Sequence, residues 1–275
     1  MTHKLYEIFF CFPDLSSCVT TKADLVDELI DLLCENQIIT YSGYLKKDDL
    51  RKDLIKYIGD GNIEGYKVLS DIEKKDIKRI IARTVEKCNK KLPIPTKNYI
   101  FVFPWFPSDN EAIFQGSFGF AAYSCVLHLF VSPDLLNEKS LADSIVHEIS
   151  HTISYHFNFE HFGNWSLLDH IVNEGLAENF REDILKSDPA PWAIALSKKE
   201  SFGILESLQS FLGSKSVPLQ RDILFGNKLY KRWTGYSIGY WLVKEFRRKN
   251  KTLSWEETFK SSPQDILNLV MNSGV

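Results

Sequence analysis

The sequence predicts an α+β fold in which a mixed β-sheet packs on a helix, and three patterns predict it. Runs with apolar residues at helical spacing among mixed charges occur at Ala23–Glu35, Lys47–Ile58 and Asp71–Lys90. A stretch without a single Asp, Glu, Lys or Arg runs from Ala112 to Pro133, and its second half, Cys125-Val-Leu-His-Leu-Phe-Val131, is β-branched and aromatic as buried strands are. Directly afterwards Leu141, Ile145, Ile149 and Ile153 recur every fourth residue, the stripe of a helix that packs on that sheet.

Taken in order, the chain opens with a strand at about Leu5–Phe12; Glu7 and Pro13 break it too early for the apolar core of a signal peptide. The three helical runs follow, and their charges read as solvated helix faces. Leu92-Pro-Ile-Pro95 is stiff punctuation and marks a boundary, giving an N-terminal strand plus helical region at 1–95 and a second domain at 96–275. Strands are expected at Asn98–Phe103, Phe114–Tyr123 and Val126–Ser132, with Gly116 and Gly119 weakening the middle one. Ser140-Leu-Ala-Asp143 resembles a capping box for a helix over Leu141–Phe157. A further helix spans Leu168–Phe180, with Leu168, Ile171, Val172, Leu176 and Phe180 on one side and His170, Glu174 and Glu178 on the other. A last one covers about Leu229–Arg248, where Gly235 and Gly239 permit close helix approach.

Composition narrows the function classes. The 275 residues suffice for one generous domain or two small ones. With 33 Lys and Arg against 36 Asp and Glu, the net charge of −3 speaks against a nucleic-acid partner. The charge is uneven: Lys46–Lys97 is locally +6 and Asn98–Phe180 locally −9. Five scattered cysteines (Cys11, Cys18, Cys34, Cys88, Cys125), with no CxxC pair, read as reduced thiols of a cytoplasmic protein. The uncharged segment is long enough to span a bilayer, but Gln115, Gly116, Ser117, Gly119, Ser124 and His128 make two sheet strands the better reading. No membrane is therefore expected; a membrane-associated protease is the alternative if that segment inserts.

The chemistry lies in His147-Glu148-Ile149-Ser150-His151, an H-E-x-x-H. Residues four apart share a helix face, so both imidazoles can converge on one zinc ion at about 2.0–2.1 Å. Glu148 is rotated off that face and suits a general base acting on a zinc-acidified water. The extended motif with a third histidine fails, because Phe157 stands at that position; His156 and His161 are off register and read as surface histidines. Glu174, on the next helix, completes a His₂Glu site holding one Zn²⁺ per chain. Tyr236 and Tyr240 share a face of the last helix. Either one hydroxyl, Tyr236 ahead of Tyr240, donates to the oxyanion of an attacked carbonyl, or both are packing residues. Asp143, one turn before His147, reads as a capping residue ahead of a support for that imidazole, and His128 as a core histidine with its hydrogen bonds satisfied; Trp105 and Phe106 stand between Pro104 and Pro107, and the sequence does not say whether they reach the cleft.

His147–His151 followed by Asn173-Glu-Gly-Leu-Ala-Glu178 resembles the gluzincin class of zinc metallopeptidases. With Gly235-Tyr-Ser-Ile-Gly-Tyr240 added, the chain is similar to a family of predicted Zn-dependent proteases of unknown function, over about Asn98–Arg247. The resemblance implies a zincin-like fold for the second domain, with His147, His151 and Glu174 as zinc ligands and Glu148 as general base. It makes Glu178 the acid that orients a ligand imidazole. A strand motif for capturing a free N-terminus is missing, so an endopeptidase acting on peptide or protein substrates is expected rather than an aminopeptidase. The sheet's edge strand, within Ser117–Ser124, would bind an extended peptide by strand addition. A catalytically idle zincin-fold peptide binder and a helical interaction module are the competing readings.

Overall fold

A computed structural model describes residues 5–14, 19–61, 63–108, 113–158 and 163–272. The α+β expectation holds: among the described residues, four strands form one mixed sheet and ten α-helices accompany it in the chain. Contacts divide the chain into two units, Met1–Thr152 and Ile153–Val275.

The first unit is built on the sheet. Strand β1 (Tyr6–Phe10) is followed by three helices, α1 (Lys22–Glu35), α2 (Lys47–Tyr57) and α3 (Asp71–Lys91), before β2 (Asn98–Pro104) returns parallel to β1. The uncharged segment then folds as a hairpin, β3 (Ser117–Tyr123) and β4 (Val126–Val131), turning at Ser124-Cys125. Strand order is β1-β2-β4-β3, with β4 parallel to β2 and β3 antiparallel at the edge. Among the described residues no helix is long and apolar enough to cross a membrane. Leu92–Pro95 links α3 to β2 inside this unit. Cys11, Cys34, Cys88 and Cys125 are free thiols; Cys18 and His161 lie outside the described residues.

Strand alternation sorts the side chains between the two faces of the sheet. Phe101, Phe103 and Trp105 of β2 and its exit, His128 and Phe130 of β4, and Phe118 and Phe120 of β3 lie on one face. Leu25, Leu29, Leu33, Leu50 and Leu54 of α1 and α2 pack with these aromatic rings in one core. Trp105 is buried in this core against Phe118, ring centroids 5.0 Å apart, and Phe106 packs against it partly buried. His128 is a core residue as expected. Its Nε2 lies 3.0 Å from the carbonyl oxygen of Ser42, which can only accept, so Nε2 carries the proton. Burial lowers its pKa from 6.5 to about 4.

Ser117, Gly119 and Ala121 occupy the opposite face of β3. There the hydroxyl of Ser144 donates to the carbonyl oxygen of Ser117 at 3.2 Å, which fixes helix α4 (Glu138–Phe157) on this side. Helix α4 begins three residues before the predicted start, because the Asn137 side chain accepts from the Ser140 amide at 2.9 Å and is the cap. Asp143 thus lies inside the helix, not at its start, and pairs with Lys139 at 2.8 Å.

The second unit is helical. Helix α5 (Leu167–Leu185) starts at a capping box of Ser166 and Asp169. Further helices follow: α6 (Lys198–Ser207), α7 (Val217–Phe225), α8 (Thr234–Lys249), α9 (Trp255–Lys260) and α10 (Pro263–Met271). Helix α8 starts later than the predicted Leu229. The Asn227 side chain accepts from the amides of Leu229 and Tyr230 and holds that stretch in a turn, and Trp233 then enters the left-handed region at φ 69°. Helices α5 and α8 cross backbone to backbone. A Cβ on Gly175 would stand 2.1 Å from the Gly239 oxygen, and one on Gly239 would stand 1.9 Å from the Ile171 oxygen. The Asn179 amide bridges the crossing, donating to the carbonyls of Gly175 at 2.8 Å and Tyr240 at 3.0 Å.

Two outcomes are expected. Gly239→Ala should cost about 3 kcal/mol or prevent folding of the second unit, since only backbone could yield. Gly203→Ala, in helix α6 with nothing within 4 Å of the new methyl, should instead leave stability unchanged or raise it by up to about 1 kcal/mol; chemical denaturation of the two variants separates them. For His128, the unfolded chain binds the extra proton first, because the folded-state value lies below 6.5. Stability is then full above pH 6.5 and lost as pH falls toward 4, by about 3 kcal/mol. His128→Gln should flatten that limb of a urea-midpoint titration.

Candidate metal centre

Helix α4 carries two of the candidate ligands, within the first unit. His147 and His151 lie one turn apart with rings nearly perpendicular (87°) and Nε2 atoms 3.0 Å from each other. His151 is buried and His147 partly so. Glu148, between them in sequence, is 6% exposed and lies directly over β3. A Cβ on Gly119 would stand 2.3 Å from its Cγ and 3.0 Å from its Cδ. Any side chain at 119 would displace this carboxylate. Sequence reasoning counted Gly119 against the strand; a glycine facing a helix inside a strand is the signature of close approach.

Helix α5 carries the carboxylates within the second unit. Glu174 is half-buried and directly precedes the Gly175 crossing. Glu178, one turn on, is fully buried, accepting from Trp192 Nε1 at 2.7 Å and from Arg181 Nε at 3.1 Å. The two-sided helix expected here is buried on nearly every side, and Glu178, Asn179 and Arg181 are among its buried residues. Arg181 and Trp192 were missed. Arg181 could have been found from its i, i+3 spacing to Glu178; the Trp192 partner is long-range and leaves no local signal.

The two tyrosines of α8 differ. Tyr240 is wholly buried, its hydroxyl donating to Glu182 at 2.8 Å and accepting from Lys244. Burial and the Glu182 carboxylate push its pKa up, so it stays protonated. Tyr236 is half-buried, with its ring edge-on to Trp233 at 5.2 Å. Gly235 packs on α7, where a Cβ would stand 2.7 Å from Leu224 Cδ2. His156 is exposed on the last turn of α4.

A family model described as "Predicted Zn-dependent protease (DUF2268)" matches residues 77–268, which includes every residue just described. The chain belongs to this family. It is also similar to the "Uncharacterized protein YjfC" of Bacillus subtilis (strain 168), 21% identical over 210 residues, 70% of either chain. No solved structure matches it. The family match takes in most of α3 and of α10, both beyond the stretch that the motifs alone covered.

Zinc dependence is part of the description of this predicted protease family, and the donors on α4 suit that ion. Two imidazole nitrogens bound to one tetrahedral zinc at 2.0–2.1 Å stand about 3.3 Å from each other, close to the 3.0 Å between the Nε2 atoms of His147 and His151. Two neutral imidazoles and a carboxylate also form a donor set that zinc takes at catalytic sites.

Proposed function

We propose that the chain is a zinc metallopeptidase, an endopeptidase that hydrolyses peptide bonds, with His147, His151 and Glu174 as the ligands of one zinc ion. The observation that carries this reading is the convergence of the two α4 imidazoles, with Glu148 between them in sequence and its side chain seated on the glycine of an edge strand. The family description supports it, and so does the donor set: His147, His151 and Glu174 could together hold a metal ion.

Zinc, when bound, supplies Lewis acidity that polarises a carbonyl and acidifies water. The remaining work falls to the chain. A Glu148 carboxylate oxygen takes the proton of the attacking water and passes it to the leaving amine. Edge strand β3 takes an extended peptide alongside it by strand addition, holding the scissile bond beside Glu148. Glu178 orients a ligand imidazole by accepting its ring N–H. Tyr236 donates its hydroxyl proton to the oxyanion.

Metal content and peptide turnover test the assignment together. The wild type should bind one zinc per chain, and Glu174→Ala should weaken that affinity roughly 10-fold or more. Glu148→Gln should keep the zinc and lose turnover by about 10²–10⁴-fold. A zinc-free wild type, or a Glu148→Gln variant with full turnover, would sink the reading. Gly119→Ala should likewise keep its zinc while turnover falls by up to about 10²-fold, since it moves the base and no ligand. Equal loss of zinc and turnover in that variant would show instead that the strand supports the histidines.

A further inference from the structure

Glu178 has no solvent exposure, and a carboxylate so placed is costly unless donors meet it. Trp192 Nε1 meets one oxygen and Arg181 Nε the other. Both donors are themselves fixed. The Arg181 side chain is 2% exposed, and its two remaining guanidinium nitrogens donate to Ser187 Oγ at 3.0 Å and to the Asp188 carbonyl at 3.1 Å. Trp192 is tied to α8, its carbonyl accepting from Ser237 Oγ at 3.1 Å. The segment after α5 is thus folded back so that its tryptophan reaches the carboxylate one turn beyond Glu174.

Stability alone gives little reason for this arrangement, since a buried ion pair is often matched or bettered by apolar residues of similar volume. Its specific effect is on geometry. A carboxylate can turn about its terminal torsion, a broad two-fold well. With one donor on each oxygen, that rotation is stopped and the remaining lone pairs keep fixed directions. We propose that Arg181 and Trp192 are positioning residues of the metal centre, clamping Glu178 as a rigid acceptor for the ring N–H of a zinc-ligating histidine. The inference rests on the zinc reading above. A rigid acceptor fixes the imidazole's tautomer and orientation and raises its basicity toward the metal.

The test uses the full chain carrying Trp192→Phe, which removes one donor and keeps an aromatic ring, and Arg181→Lys, which keeps the charge and removes the planar fork. Zinc affinity is measured by competition with a chromogenic chelator, alongside the visible spectrum of the cobalt(II)-loaded chain and the melting temperature of the metal-free chain. Weaker zinc binding in Trp192→Phe, on the order of 10-fold, with a shifted cobalt band and a nearly unchanged metal-free melt, is expected. Zinc affinity and a cobalt spectrum equal to wild type in that variant would overturn the clamp and leave the zinc reading standing. A wild type that takes up no zinc would overturn both. If Arg181→Lys does not fold, Trp192→Phe decides alone.

Discussion

The contact between Gly175 and Gly239 is the constraint on which the second unit depends. Helices normally stand 8–10 Å apart, separated by side chains; here backbone meets backbone, and a single methyl has no room. Glu174 directly precedes this crossing, so the helix that presents it can neither slide nor tilt without a clash of main-chain atoms. Asn179 reinforces the register with one amide that bridges both helices. A side chain carried on such a mount keeps its position, because the geometry of a group is only as good as the rigidity of the element behind it.

In the first unit the same device appears as a strand of two characters. Strand β3 sends Phe118 and Phe120 into the aromatic core beneath α1 and α2, and turns Ser117, Gly119 and Ala121 toward α4. A one-residue slip would exchange the faces and drive a phenylalanine into Glu148. Register is therefore held on both sides at once, by ring packing on one face and by lack of space on the other. The cost of that aromatic core includes a histidine kept neutral by burial, with its Nε2 on the carbonyl oxygen of Ser42.

Elements with long, clean periods could be read from the chain alone. The strands, the three early helices, α4 and its H-E-x-x-H were legible because period and composition are local properties. The short helices α6, α7, α9 and α10 were not, since six to ten residues hold too few turns for a period to stand out. Their capping boxes, Ser197 with Glu200 and Ser254 with Glu257, were the available signal. At the candidate site, the H-E-x-x-H and the downstream carboxylates were legible, and the residues in contact with Glu148 and Glu178 were not. Gly119 matters through what faces it across the sheet, and Trp192 through a carboxylate 14 positions earlier. Neither relation has a sequence period.

The two tyrosines of Gly235-Tyr-Ser-Ile-Gly-Tyr240 show why spacing alone could not apportion roles. Four residues apart, they share a helix face in projection, yet their hydroxyls meet different surroundings. A phenol has one proton to donate. Tyr240 gives that proton to Glu182, and Lys244 donates to the same oxygen, so the group is held from both sides. Turning the proton toward an oxyanion would strip a partner from a carboxylate that Lys244 also engages, at a cost of about 1–3 kcal/mol per hydrogen bond lost. Proton counting thus leaves the Tyr240 hydroxyl committed to Glu182. The second glycine–tyrosine pair of the motif is left to the helix crossing, where Gly239 admits the backbone of α5 and Tyr240 closes the core behind it.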